Sequence, residues 1–312
     1  HADGSGRTLM GAGHSHGPPA GHAGSRYRRR LSIAWALTLA FFGVELTTGI
    51  WSGSLALISD AGHMAADVIA LSAALFAFRY AIRGDTTGTR TFGNYRAEIF
   101  ASGLTVLIML GIGIYTVIAA FERIGGDTHV ASTPMLVVGA IGLVVNAIAI
   151  GLLRGGANES LNVKGAYLEV VADAAGSVGV MVAAILIAWT GDPIWDTLVA
   201  LGIAGFVIVR AVILGRQVLA VLGQHAPPGM NAHEVAAQLR ALDGVRDVHD
   251  LHLWTLTSGM PVATAHLVTY DRVDTHAVLD AATDLLRDRY ALEHATLQVE
   301  SADHTGCEDV SW

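Results

Sequence analysis

Long apolar runs separated by short polar breaks fill the first two thirds of the chain, and the last third loses this pattern. The runs fall near residues 31–51, 55–79, 98–121, 133–153, 165–189 and 194–214. Each approaches the roughly 20 residues that a helix needs to cross bilayer hydrocarbon. The breaks carry turn formers and charges, as in Trp51 to Ser54, Arg83 to Asp85, Gly125 to Asp127, Arg154 to Gly156 and Gly191 to Pro193. Six membrane-crossing helices are therefore predicted.

After residue 217 the periodicity becomes that of a water-soluble fold. Pro227, Pro228 and Gly229 break the chain, and Asn231 caps a helix that reaches Leu242. Residues 245–257 and 261–270 alternate as strands around Ser258-Gly259, Asp274 opens a second amphipathic helix to about Tyr290, and 294–300 form a third strand. This order predicts a small α+β domain with its helices on one face of a sheet. The expected fold class is a polytopic α-helical membrane protein with six transmembrane helices and a C-terminal α+β domain. Its parts are a His-containing disordered tail at 1–30, a membrane domain at 31–216, a cytoplasmic domain at 217–302 and a tail at 303–312.

Short-loop Lys and Arg set the orientation. Arg26, Arg28, Arg29 and Arg30 precede the first run, Arg79, Arg83, Arg90 and Arg96 surround the second break, Arg154 and Lys164 bracket the fourth, and Arg210 and Arg216 end the sixth run. The opposite side offers Arg123. Both termini are thereby placed in the cytoplasm and the chain in a plasma or inner membrane.

Composition agrees: 52% of residues are hydrophobic and 15% charged, against about 25% charged in soluble domains. A net charge of −8 leaves no basic footprint for nucleic acid. One cysteine, Cys307, excludes an internal disulfide framework. The first 25 residues lack the apolar core of a cleavable signal. Their His14, His16 and His22 belong to a disordered stretch or to a weak metal-collecting tract.

Ionisable groups inside the runs carry the chemistry, because a charge at the bilayer centre costs a few kcal/mol or more. His63 and Asp67 are i and i+4 in the second run, and Glu169 and Asp173 repeat that spacing in the fifth. Each pair shares one helix face. A single such group reads as packing glue; two matched pairs at similar depth read as a shared cation site. One imidazole and three carboxylates suit zinc or a related divalent ion. Glu45 and Asn146 are further polar groups in the first and fourth runs, and either lines a pathway or bonds across helices. Asp60, one turn before His63, reads as a pathway residue.

These residues carry a family resemblance. The stretch from Ser52 to Asp67, with Ser59-Asp60-Ala-Gly-His63-Met-Ala-Ala-Asp67 at its end, resembles the second helix of the cation diffusion facilitator family. The stretch from Ser160 through Lys164, Glu169, Asp173 and Ser177 resembles its fifth, and Val248 to Trp254 with His294 to Glu300 is similar to its cytoplasmic domain. The resemblance spans about 28–302. It implies a homodimer in the lipid bilayer that exchanges a divalent metal, usually zinc, for protons by alternating access. It also implies a ferredoxin-like cytoplasmic domain that binds further metal and helps dimerise. Glu169 stands where the family's zinc members usually place histidine. Carboxylate oxygen is harder than imidazole nitrogen, so cadmium, cobalt, iron and manganese join zinc as candidate cargo. Arg90, Phe92, Gly93 and Asn94 stand where some relatives hold metal in the second break, so no site is expected there.

By the same resemblance, His249, His266 and Glu300 fall on cytoplasmic zinc positions, with His294 and Cys307 as secondary ones. Gln298 replaces a histidine of some relatives, and His252 lies nearby. The expected function is efflux of divalent metal by proton antiport, without an organic cofactor. The chain has no GxxxxGK[ST] loop for ATP, and no HExxH helix or nucleophile beside a base, so an enzyme is not expected. A non-transporting metal sensor or scaffold would need the cytoplasmic set and not the intramembrane quartet. An organic-cation/proton antiporter would use buried acids, but not paired His and acid on two helices.

Overall fold

The computed structural model describes residues 22–81, 89–126, 129–155 and 161–301. Each apolar run forms one helix: α1 His22–Ser52, α2 Leu55–Ala81, α3 Ala97–Arg123, α4 Ser132–Leu153, α5 Leu161–Thr190 and α6 Ile194–Leu222. Two boundaries differ from expectation. Helix α1 begins at His22, so residues 22–30 are helical rather than part of a disordered tail. Helix α6 runs on to Leu222, which puts Arg210 and Arg216 inside the helix and not at its end. Helical hydrogen bonding carries through basic residues as readily as apolar ones, so hydropathy alone understates helix length. Among the described residues, α3, α4, α6 and the stretch of α5 from Tyr167 to Thr190 are long and apolar enough to cross a membrane.

Helix α2 sits at the centre, packed against α1, α3, α5 and α6, while α4 lies on α5 and α3 on α6. Phe41, Leu57, Met64, Met135 and Val180 form the main helix–helix core. A Cβ at Gly142 would lie 2.5 Å from the Phe41 ring and 2.8 Å from Ser177 Oγ, so α1, α4 and α5 close together only over a bare backbone there. Leu107, Ile114, Ile118 and Phe121 of α3 point outward, as a lipid-facing stripe requires. Trp51 and Trp189, at the ends of α1 and α5, are both more than 80% exposed, which fits aromatic anchors at one membrane interface.

The start of α2 is held by a residue from α6. Asp196 is fully buried and accepts from Ser54 Oγ (2.6 Å), Leu55 N (2.7 Å) and Ala56 N (3.2 Å). It thus satisfies amide donors that a helix start leaves open. Arg123 donates to Gly53 O at 2.8 Å and lies 3.5 Å from Asp196 Oδ2. Arg123 is therefore engaged in holding the turn between α1 and α2.

The C-terminal domain follows the expected order: α7 Ala232–Arg240, β1 Val245–Thr257, β2 Met260–Thr269, α8 Thr275–Tyr290 and β3 His294–Ser301. Asn231 and Asp274 cap the two helices, accepting from His233 N at 2.9 Å and His276 N at 3.0 Å. Strands β1 and β2 pair antiparallel through a hairpin with Gly259 at φ 72°, and β2 pairs parallel with β3 across α8. Val235, Leu239, Val278, Ala282 and Leu286 of the helices pack with Ala263, Ala265 and Leu267 of β2. Strand alternation then puts His266 on the opposite, uncovered face. The domain touches the bundle directly: Thr257 Oγ1 donates to Glu98 Oε2 of α3 at 2.8 Å, and Phe92 meets the His294 ring edge-on at 5.8 Å.

Candidate metal centres

Helices α2 and α5 turn their paired groups toward each other. His63 Nε2 lies 3.7 Å from Asp67 Oδ2 and 3.6 Å from Asp173 Oδ1. One ligand atom each from His63, Asp67 and Glu169 falls within 4.8 Å of the others. His63 thus neighbours one acid of each helix through Nε2, and Glu169 joins His63 and Asp67 in one group of ligand atoms. The i,i+4 spacing makes this arrangement: each helix offers two side chains one turn apart, and α2 packs against α5.

Exposure grades across the site. The His63 and Asp173 side chains are 3% and 4% exposed, against 12% for Asp67 and 36% for Glu169. Asp67 lies one turn closer to the Ala81 end of α2, and Glu169 one turn closer to the Leu161 end of α5. Both ends lie on the side of the bundle that carries the C-terminal domain. The site therefore opens toward that domain and is closed on the other side.

A fifth residue joins the quartet, and sequence reasoning left it at a helix end. Arg210 of α6 lies with Nη1 3.0 Å from His63 Nε2, and its Nη2 donates to Glu169 Oε1. Its guanidinium also sits 5.7 Å from the Phe206 ring centroid, and that ring meets His63 edge-on at 6.0 Å. Three ionised carboxylates would give the site −3; Arg210 brings this to −2. The available signal was Arg210's place inside the sixth apolar run, where an arginine is costly unless partnered.

Glu45, Asp60 and Asn146 are almost fully buried. Glu45 of α1 and Asp60 of α2 act on each other electrostatically, and each also feels an acid of the quartet, Asp173 for Glu45 and Asp67 for Asp60. Asp60 reaches α5 at Gly176, where a Cβ would fall 2.6 Å from its Oδ1. Asn146 lies inside α4, with no partner for its Nδ2 among the described residues.

In the C-terminal domain, His249 on β1 and His266 on β2 are register partners, with ring centroids 5.1 Å apart. Glu300 on β3 is buried beside them, its Oε1 2.9 Å from His266 Nδ1 and its Oε2 3.7 Å from His249 Nε2. Ligand atoms of the three lie within 4.8 Å of one another. Gln298 donates to Glu300 Oε1 at 2.9 Å and so steadies the carboxylate. Asp250 was not anticipated. It sits in a break of the β1 register with φ 50°, which places its carboxylate 2.9 Å from His252 Nε2 and 3.8 Å from His266 Nε2. Neighbouring strand residues normally point to opposite faces, so the irregularity hid it. His294 meets the Phe92 ring edge-on and stands apart from the trio. Cys307 and the tail residues His14 and His16 lie outside the described residues.

A family model described as the cation efflux transmembrane domain matches residues 31–222, and one described as the cation efflux protein cytoplasmic domain matches 227–302. The chain belongs to the cation diffusion facilitator family. This facilitator is 42% identical over 294 residues to the metal cation efflux system protein CzcD of Cupriavidus metallidurans, covering 94% of this chain and 91% of that one. It is 36% identical over 294 residues to the zinc transporter ZitB of Escherichia coli, covering 92% of each. It is 31% identical over 300 residues to the cadmium, cobalt and zinc/H(+)-K(+) antiporter of Bacillus subtilis, covering 94% of this chain and 93% of the other. The facilitator is a membrane-spanning cation efflux protein with a helix-and-sheet cytoplasmic domain, and membership in a transporter family fits the expectation that it is not an enzyme.

Proposed function

We propose that the facilitator exports zinc, and with it cadmium, cobalt or related divalent ions, through a site formed by His63, Asp67, Glu169 and Asp173. What supports this reading is that His63 Nε2 lies within 3.7 Å of Asp67 and of Asp173, and that Glu169 offers an oxygen within 4.8 Å of ligand atoms of His63 and Asp67. All six long helices cross the membrane in this reading, with both termini in the cytoplasm of a plasma or inner membrane. The structure then stands inward-open, since the exposed edge of the quartet faces the C-terminal domain. Metal binds there only to deprotonated ligands, so protons and metal compete for the same atoms. Rocking of helices would expose the site outward, where protons displace the ion and the proton gradient drives export. The facing carboxyls of Glu45 and Asp60, on the closed side, supply a further stop for protons on that path.

His249, His266 and Glu300, flanked by Asp250, form a second divalent-metal site on the open face of the sheet, and the domain joins two copies as a homodimer. With Glu300 replaced by Ala, the full-length protein should hold one fewer metal ion per chain, as counted by elemental analysis after dialysis. Unchanged stoichiometry would remove that site from the proposal.

The central test is metal-dependent proton movement in proteoliposomes with zinc, cadmium, cobalt, iron and manganese supplied in turn. Wild-type protein should couple zinc uptake to proton counterflow. Metal binding without flux would favour the sensor or scaffold reading instead.

A further inference from the structure

We propose that Arg210 is a tethered counter-cation of the transport site, occupying the atoms that a metal must use and so setting how tightly metal binds. This inference rests on the quartet being the transport site. Its geometry is specific. A guanidinium only donates hydrogen bonds, so Nη1 at 3.0 Å makes His63 Nε2 the acceptor and leaves the imidazole proton on Nδ1. Nε2 is also the atom nearest to Asp67 and Asp173. The same side chain donates to Glu169 Oε1 through Nη2. One planar group thus takes one lone pair from each helix, as the two-pronged shape of arginine allows.

Arginine and metal therefore exclude each other at His63 Nε2 and Glu169 Oε1. Arg210 does two things while it is in place. It balances part of the quartet's negative charge, and it keeps His63 in the tautomer whose Nε2 lone pair a metal needs. When metal enters, the guanidinium must withdraw. The Phe206 ring, one turn back along α6, already lies 5.7 Å from the guanidinium and flanks it as a cation–π partner that does not compete for metal ligands. Arg210 is one quarter exposed, so its head already borders the open side of the site. The arrangement also gives the acid at position 169 a role that histidine could not play, since it anchors the guanidinium across from α6.

Removing the arginine should remove the competition. In proteoliposomes at fixed pH, Arg210→Met is expected to lower the KM for zinc by about tenfold, because apparent affinity is reduced by the fraction of sites that are covered. The maximal rate should fall as well, because the cation that helps expel the ion is gone. Arg210→Lys, which cannot hold both atoms at once, should fall between. In a Glu169→His background the anchor is missing, and Arg210→Met should change KM little; this non-additivity is a signature that a merely structural role would not give.

A KM that is unchanged or raised in Arg210→Met overturns the inference. If the variant transports too slowly to measure, equilibrium zinc binding by the full-length protein in detergent decides: tighter binding supports the inference, and equal or weaker binding overturns it. Asp173→Asn distinguishes the transport site from the counter-cation. If that change spares intramembrane zinc binding, the site reading fails; if it abolishes binding while Arg210→Met leaves it unchanged, only the counter-cation role fails.

Discussion

Asp67→Asn and Asp173→Asn should each lower zinc-driven flux in proteoliposomes by at least about 100-fold, since even outer-shell changes cost a metal site 10- to 100-fold. Asparagine keeps the size and shape of the side chain and removes the anionic oxygen that faces His63 Nε2. Helix packing should survive, because neither residue belongs to the apolar core around Met64, Met135 and Val180. Circular dichroism should therefore match wild type while transport is lost. Flux within a few-fold of wild type in either variant would show that export does not run through this quartet. The two changes should differ in degree. Asp173 is nearly sealed, whereas Asp67 lies toward the open edge where water can stand in for a lost oxygen.

Asp196→Ala should produce the largest loss of stability among single changes in the helical bundle. Three donors at the start of α2, Ser54 Oγ and the amides of Leu55 and Ala56, lose their acceptor in a fully buried position. Arg123 loses its carboxylate partner at 3.5 Å. Breaking a buried charged contact from one side destabilises by about 3–5 kcal/mol. In a chain of this size that corresponds to a fall in melting temperature of roughly 6–15 °C, measurable by tryptophan fluorescence in detergent. Asp196→Asn keeps one acceptor oxygen and should lose about half as much. A melting temperature within about 2 °C of wild type for the alanine variant would mean that the start of α2 is held by other contacts. In the proposed mechanism the change should also lower export, because α2 carries His63 and Asp67 a few turns along.

Residues 31–222 announced their architecture because bilayer hydrocarbon leaves few options: a long apolar run must satisfy its backbone internally, and a helix does so. The i,i+4 spacing of His63 with Asp67 and of Glu169 with Asp173 was legible for the same reason, since helix geometry alone fixes which side chains share a face. In the C-terminal domain, strand alternation and the caps at Asn231 and Asp274 placed both helices and all three strands within a few residues.

Local pattern thus determined the elements, their order and which face of α2 and α5 carried the paired ionisable groups. Three things waited for the tertiary structure: that Arg210 turns into the quartet, that Asp196 reaches from α6 to the start of α2, and that Asp250 swings toward His266. Each is a contact between elements far apart in the chain or a departure from regular backbone. Periodicity along one element says which way a side chain points relative to its neighbours in sequence, and nothing about which element stands opposite.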